Sequence, residues 1–196
     1  MDIVSITLVR HGTTEWSAQG RHTSTTDIVL TKDGTREARH MGLLLAHGRY
    51  DAVYSSPLRR AHDTAILAGF PDAQLENDLS EWRYGEYEGK TTAEIHQDHP
   101  LWTVFRYGSA HGESPRQVIE RCDRLLARWK QSGHRHILCF SHGHLLRALA
   151  TRWIGADVLL AEHLNLDACS LSRLGWEHRE RALALWNHLP CMERKA

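Results

Sequence analysis

Leu8-Val9-Arg10-His11-Gly12-Thr13-Thr14-Glu15-Trp16-Ser17 reads as the end of a buried strand that turns abruptly polar. Upstream, Ile3 and Ile6 join Leu8 and Val9 in a set that is apolar and mostly β-branched, the composition of a central strand. Arg10, His11 and Gly12 follow at once, and a glycine lets the chain turn tightly where a Cβ would resist. This predicts a cation and an imidazole at the carboxyl end of a core strand, the edge at which open α/β sheets bind ligands. An ordinary polar loop is the other reading of the same three residues.

The layout recurs. Ile137 to Phe140 is a second buried run, followed by Ser141-His142-Gly143-His144 and a helix through Leu145, Leu146, Leu149 and Trp153. A third strand, Tyr50 to Tyr54, leads into Ser55-Ser56-Pro57-Leu58-Arg59-Arg60-Ala61. There Ser56 is placed as an N-cap and Pro57 at the first helical position, with a helix to about Ala68. Arginine in a first turn opposes the helix dipole. That conflict predicts either a solvated basic start, the reading for Arg59, or a side chain aimed at something negative.

The rest of the chain fills in around these three. Trp16 to Asp27 reads as a polar loop, and Thr31 as the N-cap of a helix to about Ala46, closed by Gly48. Thr91 or Thr92 caps a short helix ending near Pro100, and Ser114-Pro115-Arg116-Gln117 is a capping-box start for a helix to about Lys130. Leu159 to Leu164 is weakly helical. Ser170 to Leu174 and Ala182 to Trp186 form a hairpin around Gly175 to Glu180, and Glu193 to Ala196 is a frayed tail. The pattern predicts an α/β fold, a three-layer α/β/α sandwich with a largely parallel central sheet and an antiparallel edge, as one domain over residues 1–196.

Composition narrows the function classes. At 41% hydrophobic and 24% charged residues, the 196-residue chain is an ordinary globular protein. Its 24 basic and 24 acidic residues balance, so no global field draws it to nucleic acid or membrane, and any anion site is local. Cys122, Cys139, Cys169 and Cys191 are far apart, which argues against a zinc ribbon or disulfide framework and for a reducing, cytoplasmic setting. Met1-Asp2 offers no basic region of the kind that opens a signal peptide. No dinucleotide fingerprint or Walker A loop is present.

Arginines and histidines converging without an acidic cage describe an oxyanion site. Arginine grips phosphate oxygens bidentately, histidine is a nucleophile toward phosphorus, and cations hold the charge on the transferring group. The departing alkoxide needs a proton, which a neutral carboxylic acid supplies. From Leu79 the chain interleaves Trp82, Tyr84 and Tyr87 with Glu81, Glu86 and Glu88. Glu81 is the candidate donor, its aromatic neighbours being placed to desolvate it; a surface acidic loop is the bland reading.

Four blocks carry a family resemblance: Leu8-Val9-Arg10-His11-Gly12, Ser55-Ser56-Pro57-Leu58-Arg59-Arg60-Ala61, Leu79-Ser80-Glu81 with Tyr84-Gly85, and Ser141-His142-Gly143-His144-Leu145-Leu146-Arg147. In this order they resemble the histidine phosphatase, or phosphoglycerate mutase-like, superfamily. The resemblance implies that His11 is the nucleophile, that Arg10, Arg60 and His142 clamp the phosphoryl group, and that Glu81 is the proton donor. Arg60 is preferred to Arg59 because the family arginine directly precedes the alanine. No metal and no cofactor are implied, and a homodimer is an arrangement the family allows. Trp16-Ser17, Gly20 to Asp27 and Glu81 to Gly89 are similar to the branch of sugar-bisphosphatases and acid phosphatases. By position, Ser17, Thr23, Ser24, Tyr84 and His144 would line the pocket mouth and contact a small phosphate ester of the fructose or sedoheptulose bisphosphate type.

Competing readings stay open at this level. A phosphoglycerate mutase is one, although between Gly89 and Ser114 only Lys90 and Arg106 are basic, a weak cover that favours hydrolysis. A protein or broad-specificity acid phosphatase is another, and a phosphoryl-binding module on an inactive scaffold a third. The His134/His136 and His142/His144 pairs raise a metal site, without a clustered third ligand. His22 and the remaining histidines read as surface or packing residues, and Trp102 with Arg106 as flanking the pocket.

Overall fold

Arg10 closes the strand on which everything else is hung. The computed structural model describes residues 2–190; Cys191 and the expected tail at Glu193 to Ala196 lie outside them. In chain order the elements are β1 (Ser5–Arg10), α1 (Glu15–Ala18), α2 (Lys32–Leu45), β2 (Ala52–Ser55), α3 (Arg59–Leu67), β3 (Gln74–Leu75), α4 (Thr92–His96), α5 (Val104–Tyr107), α6 (Pro115–Gln131), β4 (His136–Ser141), α7 (Gly143–Trp153), β5 (Leu171–Glu177) and β6 (Glu180–His188). The six strands form one sheet in the order β3-β2-β4-β1-β5-β6. The first four are mutually parallel, and β5 and β6 make the antiparallel edge. This is the α/β architecture expected from the sequence.

Period-two alternation sends each central strand to two cores. Ile6 and Leu8 of β1, with Ile137 and Cys139 of β4, pack against α6 and α7 through Val118, Cys122, Leu125, Leu145 and Leu149. Val9, Leu138 and Phe140 face the other way, onto Met41 and Leu45 of α2 and Ala65 of α3. Each fully buried aliphatic side chain contributes roughly 1.5–3 kcal/mol. The sheet is therefore held rigidly, and the loops at its carboxyl edge inherit that rigidity. Arg10 pairs with Ser141 in the β1–β4 register, and the His11 N–H donates to the Ser141 carbonyl at 2.9 Å. Two histidine-bearing strand ends thus stand side by side.

Several local expectations are corrected. The helix after β2 starts at Arg59 with Leu58 at its N-cap, two residues later than Ser56 and Pro57 implied. The Ser56 hydroxyl accepts the Leu58 N–H and also faces His142. The loop expected from Trp16 opens with a helical turn, α1, closed by a capping box between Thr14 and Ser17. The Thr91-capped helix ends at His96, and α5 and the short β3 carried too few residues to show a period. Gly12 answers a close approach more than a turn: a Cβ there would meet the Gly34 carbonyl oxygen at 2.6 Å. The bare backbone lets the strand end pack on the first turn of α2.

Candidate active site

His11 is 5% exposed, at the floor of a cleft at the carboxyl ends of β1 and β4. Its Nδ1 lies 2.8 Å from the Gly12 carbonyl oxygen. A carbonyl only accepts, so Nδ1 carries the proton and Nε2 keeps its lone pair. Burial pushes the imidazole well below its ordinary pKa, and the nearby Arg60 and Arg10 charges push it further. At neutral pH His11 is therefore the uncharged, nucleophilic form. Arg10 donates from Nη1 to the Leu166 carbonyl, while its buried Nε has no hydrogen-bond partner. Both residues line the cleft, and a guanidinium beside a neutral imidazole suits an incoming anion.

His142 stands against His11, with ring centroids 5.2 Å apart. Its Nδ1 accepts from Arg60 Nε at 3.1 Å, so its Nε2–H donates to Ser56 Oγ at 2.8 Å. Burial and the Arg60 charge hold this imidazole well below its usual pKa as well. The other donors of Arg60 go to the carbonyls of Thr23 and Ser24 from Nη2 and of Thr26 from Nη1. What the fully buried Arg60 faces is thus a loop of carbonyl oxygens and an imidazole. It sits behind His142 and ties the 23–26 loop to the sheet. Arg59, by contrast, is exposed and pairs with Asp63 at 3.2 Å, as expected.

Glu81 is buried to 6% exposure and reaches the first turn of α7. Its Oε2 accepts the His144 N–H at 3.1 Å and its Oε1 the Leu145 N–H at 2.9 Å, with the Trp82 N–H also on Oε1. His142 occupies the N-cap position but makes no side-chain cap, so Glu81 supplies the cap from another segment. The surroundings of Glu81 are thus as much helix terminus as aromatic. Tyr84 OH and His144 Nδ1 are 2.5 Å apart on the wall of the cleft.

The cleft has a volume of about 240 Å³. It brings together Arg10, His11, Ser17, Thr23, Glu81, Tyr84 and His144. Arg60 and His142 lie one layer behind, and Ser24 is not at the mouth: its hydroxyl is engaged by the Glu88 carboxylate and accepts the Tyr84 N–H. Arg21, His22 and Arg147 also line the cleft. Arg147 lies one helical turn beyond His144, a spacing that places it on the same face. His22, read from the sequence as surface or packing, is buried and hydrogen-bonds Thr92. Trp102 stands edge-on behind His22 and lines a side chamber of about 200 Å³, while Arg106 turns away to pair with Glu162 at 3.2 Å. Among the described residues no cluster of three or more His, Cys, Asp or Glu is placed to hold a metal ion. No helix among them is long and apolar enough to cross a membrane.

His22 supplies a pH test. Burial lowers it from 6.5 to about 4, opposed by the Glu88 charge. Below 6.5 the unfolded chain takes up a proton that the folded one refuses, so stability falls as pH drops through that window. At about 1.36 kcal/mol per unit, the loss attributable to His22 is on the order of 3 kcal/mol. Denaturant unfolding at about pH 7 and about pH 4.5 is expected to give His22→Gln a shallower loss than wild type. Equal losses would contradict the assignment.

Strand ends that gather neutral imidazoles and guanidinium groups around a small cleft define an oxyanion-handling α/β protein. The model of the histidine phosphatase superfamily, branch 1, matches residues 6–189, and the chain belongs to that superfamily. An acid phosphatase of Mycobacterium tuberculosis is 40% identical over 181 residues, covering 91% of this chain and 89% of that protein. The sedoheptulose 1,7-bisphosphatase of Saccharomyces cerevisiae is 33% identical over 184 residues, covering 77% of this chain and 68% of that protein. The solved structure of a Mycobacterium tuberculosis open reading frame product superimposes with a TM-score of 0.91 at 38% identity, covering 96% of this chain and 99% of that one.

Proposed function

We propose that this phosphatase hydrolyses phosphate monoesters of sugars, bisphosphates among them, through a phosphohistidine on His11 and without a metal ion. The observation that carries the reading is the His11 tautomer: Nδ1 is tied to the Gly12 carbonyl, which leaves Nε2 its lone pair, and His11 lines the cleft together with Arg10. In the first step the Nε2–P bond forms and the ester P–O bond breaks, with Glu81 giving its proton to the leaving oxygen. In the second, water adds to phosphorus, the N–P bond breaks, and Glu81 takes the proton back. Arg10 meets the charge on the transferring group. His142, held by Arg60 and Ser56, braces the floor.

The sugar-phosphate class is supported by charge. Arg21 and Arg147 line the same cleft as Arg10, while Glu81 is the acid in its wall. Guanidinium groups beyond the one at the reacting phosphoryl favour a substrate with a second anionic or polyhydroxylated part. The relative named sedoheptulose 1,7-bisphosphatase fits that class. Hydrolysis is favoured over mutase transfer because neither Lys90, which lies over Tyr87, nor Arg106, which pairs with Glu162, lines the cleft.

The test is phosphate release in excess chelator across fructose and sedoheptulose bisphosphates, phosphoglycerates and an aryl phosphate. Sugar bisphosphates are expected to exceed the aryl ester in kcat/KM by about tenfold or more, chelator notwithstanding. Loss of activity in chelator, an aryl preference, or mutase turnover above phosphate release would each overturn the reading.

A further inference from the structure

We infer that the buried Arg121–Glu113 pair is a positioning device for Glu81, a role that rests on the phosphatase reading above. Residues 80–84 belong to no helix or strand, yet Glu81 must hold its carboxyl against the cleft. The segment is pinned from both sides. Arg121 of α6 donates from Nη1 to the carbonyls of Asp78 at 2.9 Å and Ser80 at 2.5 Å, and the Ser141 hydroxyl donates to that of Leu79 at 2.6 Å. Beyond Glu81, the Glu113 carboxylate accepts the Arg83 N–H at 2.9 Å. The Glu113 N–H donates to the Arg83 carbonyl at 2.8 Å, and the Trp82 indole N–H donates to the Glu113 carbonyl at 2.9 Å.

The two pins are one object. Arg121 Nη2 and Glu113 Oε2 are 2.9 Å apart, with side chains 8% and 7% exposed. A buried ion pair is a poor source of stability, because desolvation offsets most of its attraction, so its presence under one irregular segment asks for another reason. A planar fork supplies one. It reaches two carbonyls and a carboxylate in a single fixed geometry, which an apolar contact or a flexible ammonium does not reproduce. The packing agrees: a Cβ on Gly112 would meet the Arg83 carbonyl oxygen at 2.2 Å, so the 112–113 backbone is pressed directly onto the segment after Glu81. Neither Arg121 nor Glu113 lines the cleft. They act through Glu81.

The readout is the dependence on leaving group. A nitrophenolate departs without a proton, whereas a sugar alkoxide needs the one that Glu81 gives. The value of kcat/KM reports the steps through phosphoryl transfer to His11, so it isolates that proton. Wild type, Arg121→Lys and the apolar pair Arg121→Met/Glu113→Leu would be compared on a sugar phosphate and on p-nitrophenyl phosphate, with thermal melts alongside. Arg121→Lys keeps the charge next to Glu113 and loses the fork, so a test remains if the apolar pair does not fold. The expected result is a loss on the sugar phosphate that exceeds the loss on the aryl ester by about tenfold or more in a folded variant. Equal losses on both esters would make the pair merely structural, and no loss on either would remove its role; both overturn the inference. If wild type itself releases no phosphate from either ester, the phosphatase reading fails first, and that is a distinct outcome.

Discussion

His11→Ala is expected to lose at least about ten-thousandfold in phosphate release while keeping its fold, the scale seen when a nucleophile is removed from an otherwise intact site. The adjacent imidazoles are already engaged. His142 offers Nδ1 to Arg60 and Nε2–H to Ser56, and His144 Nδ1 is matched with Tyr84. The fold survives because His11 is uncharged and its side chain makes one hydrogen bond, to the next residue's carbonyl. Truncation leaves the β1–β4 register, which depends on backbone groups, as it was. Circular dichroism and a steady-state assay on the same preparation check both halves. A variant within about tenfold of wild type would mean that the nucleophile lies elsewhere.

Glu81→Gln is expected to cost about a hundredfold to ten-thousandfold on a sugar phosphate, the range of a lost general acid–base. It also has a structural share. Glutamine presents one carbonyl oxygen where Glu81 uses both carboxylate oxygens on the first turn of α7. Losing part of that cap costs roughly 1 kcal/mol of stability, a shift visible in a melt and too small to explain the rate. The two shares separate by leaving group in kcat/KM, which stops at phosphoryl transfer to His11: weakened capping lowers it for every ester alike, whereas a missing acid lowers it only for those with basic alcohols. Equal loss on aryl and sugar phosphates would assign Glu81 to the cap alone.

The parts of this site legible in the sequence are those whose geometry is local. Arg10, His11 and His142 each sit a residue or two beyond a strongly apolar run, so the end of the strand fixes where they go. Arg147 was within reach by the same logic, one turn after His144. What the sequence hid depends on partners far along the chain. Arg60 announces itself as an oddly placed cation, but the carbonyls it meets belong to Thr23, Ser24 and Thr26, whose path is tertiary. Ser24 looks like a free hydroxyl until Glu88 folds over it and accepts both that hydroxyl and the Ser24 N–H. His22 carries no periodic signal, and only the packing of Tyr84 and Trp102 around it reveals a buried ring. Arg121 reads as one more charge on an amphipathic helix, because nothing local marks the irregular segment it holds.

The claim that everything else serves is a covalent bond between phosphorus and His11 Nε2. The direct measurement is to mix enzyme with a phosphate ester carrying radiolabelled phosphorus, stop it within one turnover and locate the label by peptide mass spectrometry. The account predicts acid-labile, alkali-stable label on His11, formed no slower than turnover and absent from His11→Ala. Label on another residue, or full turnover with no phosphoenzyme at any time point, would contradict it.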